Sequence, residues 1–324
     1  MATLEEAEDA VAFSSGMAAV SGVFLSILTP GDEVLSSAQI YGGSRGFFEN
    51  ILTKVGCQVT FFDPCGDIMK TLPALVTKRT RAIFFETPSN PELTILDIGL
   101  ITRIARSLNL ITVIDNTLAT PYLQHPAILG IDYVIHSATK YISGHGDAIG
   151  GVVVGSRTDM SRLRSTVLAS LGACLSPFNA WLYLRGLKTL HIRMDHHCRS
   201  AEGIALFLTG HRKVKEVFYP GLETHRGHGI AKKQMSGFGG MVSFRLAGRS
   251  ACRRFLDGLG LCKIGVSLGD AETLAMNAAL MFHNNRSDAA CRAIGIDPTL
   301  IRISTGLEDM DDILEDIEGA LKKA

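Results

Sequence analysis

Ile111-Thr-Val-Ile-Asp115-Asn116-Thr117 and Asp132-Tyr-Val-Ile-His-Ser-Ala-Thr-Lys140-Tyr141 decide the fold. Each is a short β-branched and aromatic run that closes on a polar, reactive side chain, the pattern of a core strand running into a loop. Similar runs stand at residues 33–35, 58–62, 82–85 and 152–154, and residues 43–54 and 98–108 carry apolar side chains at helical spacing. Strands alternating with helices, with glycine and proline at the junctions, predict an α/β sheet that is mostly parallel. Residues 177–208 read as helical. After them, runs at 242–244, 264–266 and 301–303 alternate with helical segments, the last over 308–323. The expected division is therefore a larger α/β domain over 1–190 and a smaller α+β domain over 191–324.

Composition narrows the function. The chain has 324 residues, 46% hydrophobic and 20% charged, enough to bury a sizeable core. Lys plus Arg (32) equals Asp plus Glu (32) and no block of like charge stands out, so the basic footprint of a nucleic-acid binder is missing. The seven cysteines form no Cys-x-x-Cys, which argues against a disulfide framework or zinc ribbon and for a cytoplasmic setting. The apolar stretch 17–28 ends at Thr29-Pro30-Gly31-Asp32. That is short of the roughly 18 residues a membrane span needs. A small-molecule partner is expected.

In a parallel sheet, ligands gather beyond the carboxyl ends of the strands, where Lys140 and Asp115 should sit. A lysine there forms an imine with an aldehyde cofactor if burial keeps its amine neutral, although a lysine in a polar loop explains the segment equally well. Ser137 and Thr139 are candidate phosphate contacts. Asp115 suits a protonated pyridine nitrogen, and taken alone also suits a helix cap. Ser15-Gly16-Met17 opens a helix and offers backbone N–H groups to an anion, or merely an N-cap. Tyr41 supplies an aromatic ring at the same edge, and Asn90 lies in a turn-forming loop. Arg302, among apolar residues on a predicted strand, suits an amino-acid carboxylate. The histidine pairs 196/197 and 225/228 lack convergent partners, so no metal site is expected. No Gly-x-Gly-x-x-Gly follows the first predicted strand, which argues against a nicotinamide oxidoreductase.

Taken together, Ser15-Gly16-Met17, Tyr41-Gly42, Asn90-Pro91, Asp115-Asn116-Thr117, His136-Ser-Ala-Thr-Lys140-Tyr141, Gln234-Met-Ser-Gly-Phe-Gly-Gly240, Ser267-Leu-Gly-Asp-Ala-Glu-Thr-Leu274 and Arg302-Ile-Ser-Thr-Gly306 resemble the pyridoxal-phosphate enzymes of cysteine and methionine metabolism. That family includes cystathionine γ-synthase, cystathionine γ-lyase and methionine γ-lyase. The resemblance implies the aminotransferase-like fold type I, pyridoxal 5'-phosphate as cofactor and a homo-oligomer, dimer or tetramer. It makes Lys140 the Schiff-base lysine, Asp115 the pyridinium partner, and Tyr41 both the stacking ring and the acid for a leaving thiolate. Ser15, Gly16, Met17, Ser137 and Thr139 become phosphate contacts, and Asn90, Ser267 and Arg302 lie around the substrate carboxylate.

Val266-Ser-Leu-Gly-Asp-Ala-Glu-Thr273 looks most like methionine γ-lyases, which predicts α,γ-elimination giving a thiol, a 2-oxo acid and ammonia. Gly43 instead matches the cystathionine enzymes, because methionine γ-lyases usually carry a cysteine there. Cystathionine γ-lyase or γ-synthase chemistry is therefore the alternative. The sequence also joins the family pattern beyond a leading segment whose Tyr-x-Arg reaches a neighbouring subunit's phosphate, so weaker cofactor binding and assembly are expected. A non-catalytic structural or regulatory role is the remaining reading. Met276-Asn-Ala-Ala-Leu-Met-Phe-His283 departs from the family pattern and is expected to reshape the substrate entrance.

Overall fold

A computed structural model describes residues 1–282, 285–293 and 296–324. The first sheet has seven strands, β1 (Asp9–Phe13), β2 (Glu33–Ser37), β3 (Gln58–Phe62), β4 (Thr80–Glu86), β5 (Ile111–Asp115), β6 (Tyr133–Ser137) and β7 (Gly151–Gly155). They lie in the order β1-β7-β6-β5-β4-β2-β3. Strands β2 to β6 pair in parallel, while β7 runs antiparallel to both β6 and β1. The carboxyl ends of β4, β5 and β6 thus share one edge.

The uninterrupted apolar runs follow from burial on both faces. On one face Val34, Phe84, Val113 and Ile135 pack against Val20, Val23 and Phe24 of the helix Gly16–Ile27. On the other, Leu35, Ile83, Ile114 and Val134 pack against Ile101, Ile104 and Ala105 of the helix Ile98–Ser107. Asp97 caps that second helix through Leu100 N at 2.8 Å.

The second sheet contains β8 (Glu216–Phe218), β9 (Met241–Arg245), β10 (Lys263–Ile264), β11 (Leu274–Met276) and β12 (Leu300–Ser304), in the order β10-β11-β12-β9-β8. Period-two alternation along β12 sends Ile301 and Ile303 into a core with Phe255, Ile313 and Ile317. Arg302 and Ser304 face the other way. On that second face Ser243 Oγ donates to Pro91 O at 2.6 Å, joining β9 to the loop after β4.

Three strands escaped the sequence reading. In β1 only Val11 is β-branched, β8 has three residues, and Leu274-Ala-Met276 of β11 is made of helix formers. All three residues of β11 are buried, and pairing with β12 overrides their local preference. The expected strand at 264–266 stops at Ile264, leaving Val266 in a loop.

Candidate active site

Lys140 stands just past β6, where its Nζ donates to Ser267 Oγ at 3.0 Å. Burial holds this amine below the ordinary lysine range. The Arg302 guanidinium adds to the effect and Asp270 opposes it. Arg302 is 4% exposed and donates through Nη2 to Ser267 O (2.8 Å) and Val266 O (3.0 Å), and through Nη1 to Asn90 Oδ1 (3.3 Å). Its Nε is buried without a partner, and it forms no salt bridge among the described residues. Burial lowers its pKa to about 10. Such a guanidinium, held only by neutral acceptors, is prepared for an incoming carboxylate.

Asp115 ends β5, and its Oδ1 accepts Thr117 N at 3.0 Å and the Thr117 hydroxyl. Burial raises its pKa, while the two Thr117 bonds and His136 pull the other way. Glu86 is paired in register with Asp115 on the neighbouring strand, and its Oε1 accepts Tyr41 N at 2.7 Å. Glu86 is pushed well above the carboxylate range, first by burial and then by the charge of Asp115. Glu86 escaped the sequence reading, yet it closes an apolar strand just as Asp115 does.

Ser15, Gly16, Met17 and Ser137 meet at the positive end of the helix Gly16–Ile27. Ser15 Oγ caps it through Ala18 N at 3.0 Å. A Cβ on Gly16 would stand 3.0 Å from Ser137 Oγ, and one on Gly151 would overlap Ser15 O, so glycine is what lets these backbones close up. Thr139 lies beside them, its Oγ1 accepting Gly150 N at 3.2 Å. The cradle therefore offers helix N–H groups and hydroxyls of the kind a phosphate takes. Together with a desolvated lysine and the buried carboxyl group of Asp115, this donor set fits pyridoxal phosphate.

The structure gathers Ser15, Gly16, Met17, Tyr41, Asn90, Asp115, Ser137, Thr139 and Lys140 at the carboxyl ends of the first sheet's strands, and Ser267 and Arg302 of the second unit meet them there. Tyr41 stands there, 53% exposed, on the loop ahead of the helix Gly42–Asn50. In the segment 276–283, by contrast, Asn277 does not shape an entrance. It is buried, and its Nδ2 donates to Pro298 O (3.0 Å) and Leu300 O (2.8 Å) while Oδ1 accepts Leu280 N (2.9 Å). His283 lies outside the described residues.

The family model described as "Cys/Met metabolism PLP-dependent enzyme" matches residues 1–322. The chain belongs to this family. Its cofactor is pyridoxal 5'-phosphate, its fold is the family's fold type I, and it is a pyridoxal-phosphate-dependent lyase of sulfur amino-acid metabolism. Among relatives, it is 44% identical to an L-methionine gamma-lyase of Fusobacterium nucleatum, over 100% of this chain and 82% of that one. It is 42% identical to a cystathionine beta-lyase of Lactococcus lactis, over 100% of this chain and 84% of that one. The solved cystathionine gamma-lyase from Lactobacillus plantarum, complexed with L-serine, superposes with a TM-score of 0.93 at 37% identity. That likeness covers 99% of this chain and 84% of the other. No helix among the described residues is long and apolar enough to cross a membrane.

Tyr141, next to Lys140, packs edge-on against His197 with ring centroids 5.2 Å apart. His197 is buried with both ring nitrogens unpartnered, and burial, aided by Arg193, lowers its pKa from 6.5 to about 4. The unfolded chain therefore takes up a proton here as pH falls through 6.5, before the folded chain does. His197 adds no penalty above that pH and costs about 3 kcal/mol once the pH reaches 4. Urea unfolding of His197→Met should lose that part of the pH slope between 6.5 and 4, and an unchanged slope would show that His197 is not its source.

Proposed function

We propose that the chain catalyses α,γ-elimination from a sulfur-containing amino acid, in the manner of a methionine γ-lyase, releasing a thiol, a 2-oxo acid and ammonia. One observation carries this reading. Lys140, an amine of depressed basicity, is hydrogen-bonded to Ser267, whose carbonyl in turn holds the unpaired Arg302. An α-amino acid presents an amine, a Cα–H and a carboxylate close together, and this cluster answers to all three. The segment Val266–Thr273 and the 44% identity to a methionine gamma-lyase favour methionine-type substrates. Gly43 favours the transsulfuration alternative, cystathionine cleavage or synthesis. Here a Cβ at 43 would overlap the Tyr41 ring and stand 3.1 Å from Met17 Sδ.

When bound, pyridoxal phosphate supplies an electrophilic aldehyde carbon and an electron-withdrawing ring. Ser15, Gly16, Met17, Ser137 and Thr139 would hold its phosphate, and Asp115 would keep a proton on its ring nitrogen. Lys140 would anchor the aldehyde, then as a free amine take the Cα proton of the substrate and help remove the Cβ proton. Arg302, with Asn90 and Ser267 beside it, would hold the substrate carboxylate and fix which bond at Cα faces Lys140. Tyr41 would stack on the ring and protonate the leaving thiolate. Tyr41→Phe is then expected to slow elimination by about 10²-fold with little change in cofactor affinity, and equal rates would remove Tyr41 from that role.

The helix Pro177–Leu187 exposes Phe178 (66%), Trp181 (57%) and Leu184 (65%). That much apolar surface supports a homo-oligomer, a dimer or tetramer, and the absence of any Cys-x-x-Cys supports a cytoplasmic setting. We assign cofactor binding to residues 1–190 and the smaller unit to 191–324. The test is to load the chain with pyridoxal phosphate, reduce it with borohydride and locate the adduct by peptide mass spectrometry. Methionine, cystathionine and an activated homoserine are then supplied separately and their products analysed. An adduct on Lys140 and methanethiol from methionine are expected. An adduct elsewhere, or turnover of cystathionine alone, would overturn the corresponding part.

A further inference from the structure

Arg193, in the first turn of the helix Leu190–Thr209, is 4% exposed and has no salt-bridge partner among the described residues. Its guanidinium instead gathers neutral acceptors. Nη1 donates to Tyr141 O (2.6 Å), Nη2 to Gly186 O (2.8 Å) and Nε to Thr189 Oγ1 (3.0 Å). A buried cation without a counter-ion costs several kcal/mol to desolvate, so its retention needs a reason beyond packing.

The surroundings supply one. Lys140 belongs to a tight turn closed by Ser143 N to Ala138 O (3.0 Å) and Gly144 N to Lys140 O (2.8 Å). Gly144 has φ +70°, and a Cβ on it would overlap Arg193 Nη1. Gly186 is equally confined, because a Cβ there would stand 2.6 Å from Ser143 O and overlap Ile142 O. Two glycines thus let the guanidinium and a helix backbone press directly on the peptide groups following Lys140. Along the same helix, His197 O accepts Thr305 Oγ1 at 3.1 Å, just beyond the strand that carries Arg302. The helix is fastened at one point to the Lys140 turn and, further on, to the Arg302 strand.

We infer that Arg193 is a positioning residue that clamps the Lys140 turn and holds Lys140 in register with Arg302. The inference rests on the role given to Lys140 above and leaves Arg193 out of contact with substrate. Its bonds go to main-chain carbonyls on two sides, so an ammonium at this position cannot replace the planar fork.

Amide hydrogen exchange of the chain without added cofactor, run beside steady-state kinetics of the loaded enzyme, tests it. In Arg193→Met, the Ser143 and Gly144 amides should exchange about tenfold faster while those of β9 and β12 keep their rates. Turnover should fall about 10²-fold with KM within about threefold, because a misplaced base slows proton transfer without loosening the carboxylate. Arg193→Lys should fall between parent and Arg193→Met. Unchanged exchange at both amides, acceleration spread evenly over both sheets, or a fall in kcat matched by an equal rise in KM would each overturn the clamp. The exchange result needs no adduct on Lys140, so loss of the Lys140 reading and loss of the clamp are told apart.

Discussion

Lys140→Ala is expected to lose about 10⁴-fold in turnover, at the top of the range for removing a positioned proton-transfer group. The loss is large because the proposed function gives one side chain two roles, anchor for the aldehyde and base for the Cα proton. Its environment is built for the neutral amine: burial and the Arg302 charge both depress its basicity. The pH direction follows. Below the lowered pKa the amine is protonated and cannot act as a base, so activity should rise with pH through that value and reach its plateau below the range of an exposed lysine. A small primary amine in the assay should restore part of the activity of Lys140→Ala, while Lys140→Arg, which cannot deprotonate, should not respond. Steady-state rates with and without ethylamine check this. An Ala variant within tenfold of the parent would remove Lys140 from the chemistry.

Arg302→Leu carries the second large effect. Truncating one member of a buried charged pair costs about 2–5 kcal/mol. In the proposed function its carboxylate partner arrives with the substrate, so the cost should appear in kcat/KM, mostly as a raised KM. Arg302→Lys should recover little, because the present side chain reaches Ser267 O, Val266 O and Asn90 Oδ1 with two separate nitrogens. Comparing a substrate with its carboxamide analogue gives the control. The parent should prefer the carboxylate strongly and Arg302→Leu should not, and an equal preference in both would place the carboxylate elsewhere.

The sequence displayed the central strands of the first sheet well because they are buried on both faces, and continuous apolar runs such as Ile111–Asp115 survive without context. Lys140 and Asp115 were legible for the same reason: Asp115 ends such a run and Lys140 follows three residues after the end of another. Strand β11 was not, since nothing in Leu274-Ala-Met276 announces a strand until β12 lies beside it. Arg193 was hidden for a different reason. It sits in a helix with no acidic partner to mark it, and its meaning comes from Tyr141 and Gly186, which only the fold places around it. The same holds for Glu86, whose link to Asp115 is a matter of strand register.

The bond between Arg302 and Asn90 joins residues 212 positions apart. β12 is central in its sheet, so β9 and β11 have no common neighbour until it is inserted. On the ribosome, at about 5–20 residues per second, the group assigned to the substrate carboxylate therefore emerges many seconds after Lys140. A nascent chain that has passed Lys140 but not yet reached Arg302 carries the amine without the partner that fixes a substrate beside it, so the two halves of the site become available in a set order, anchor first and selectivity last.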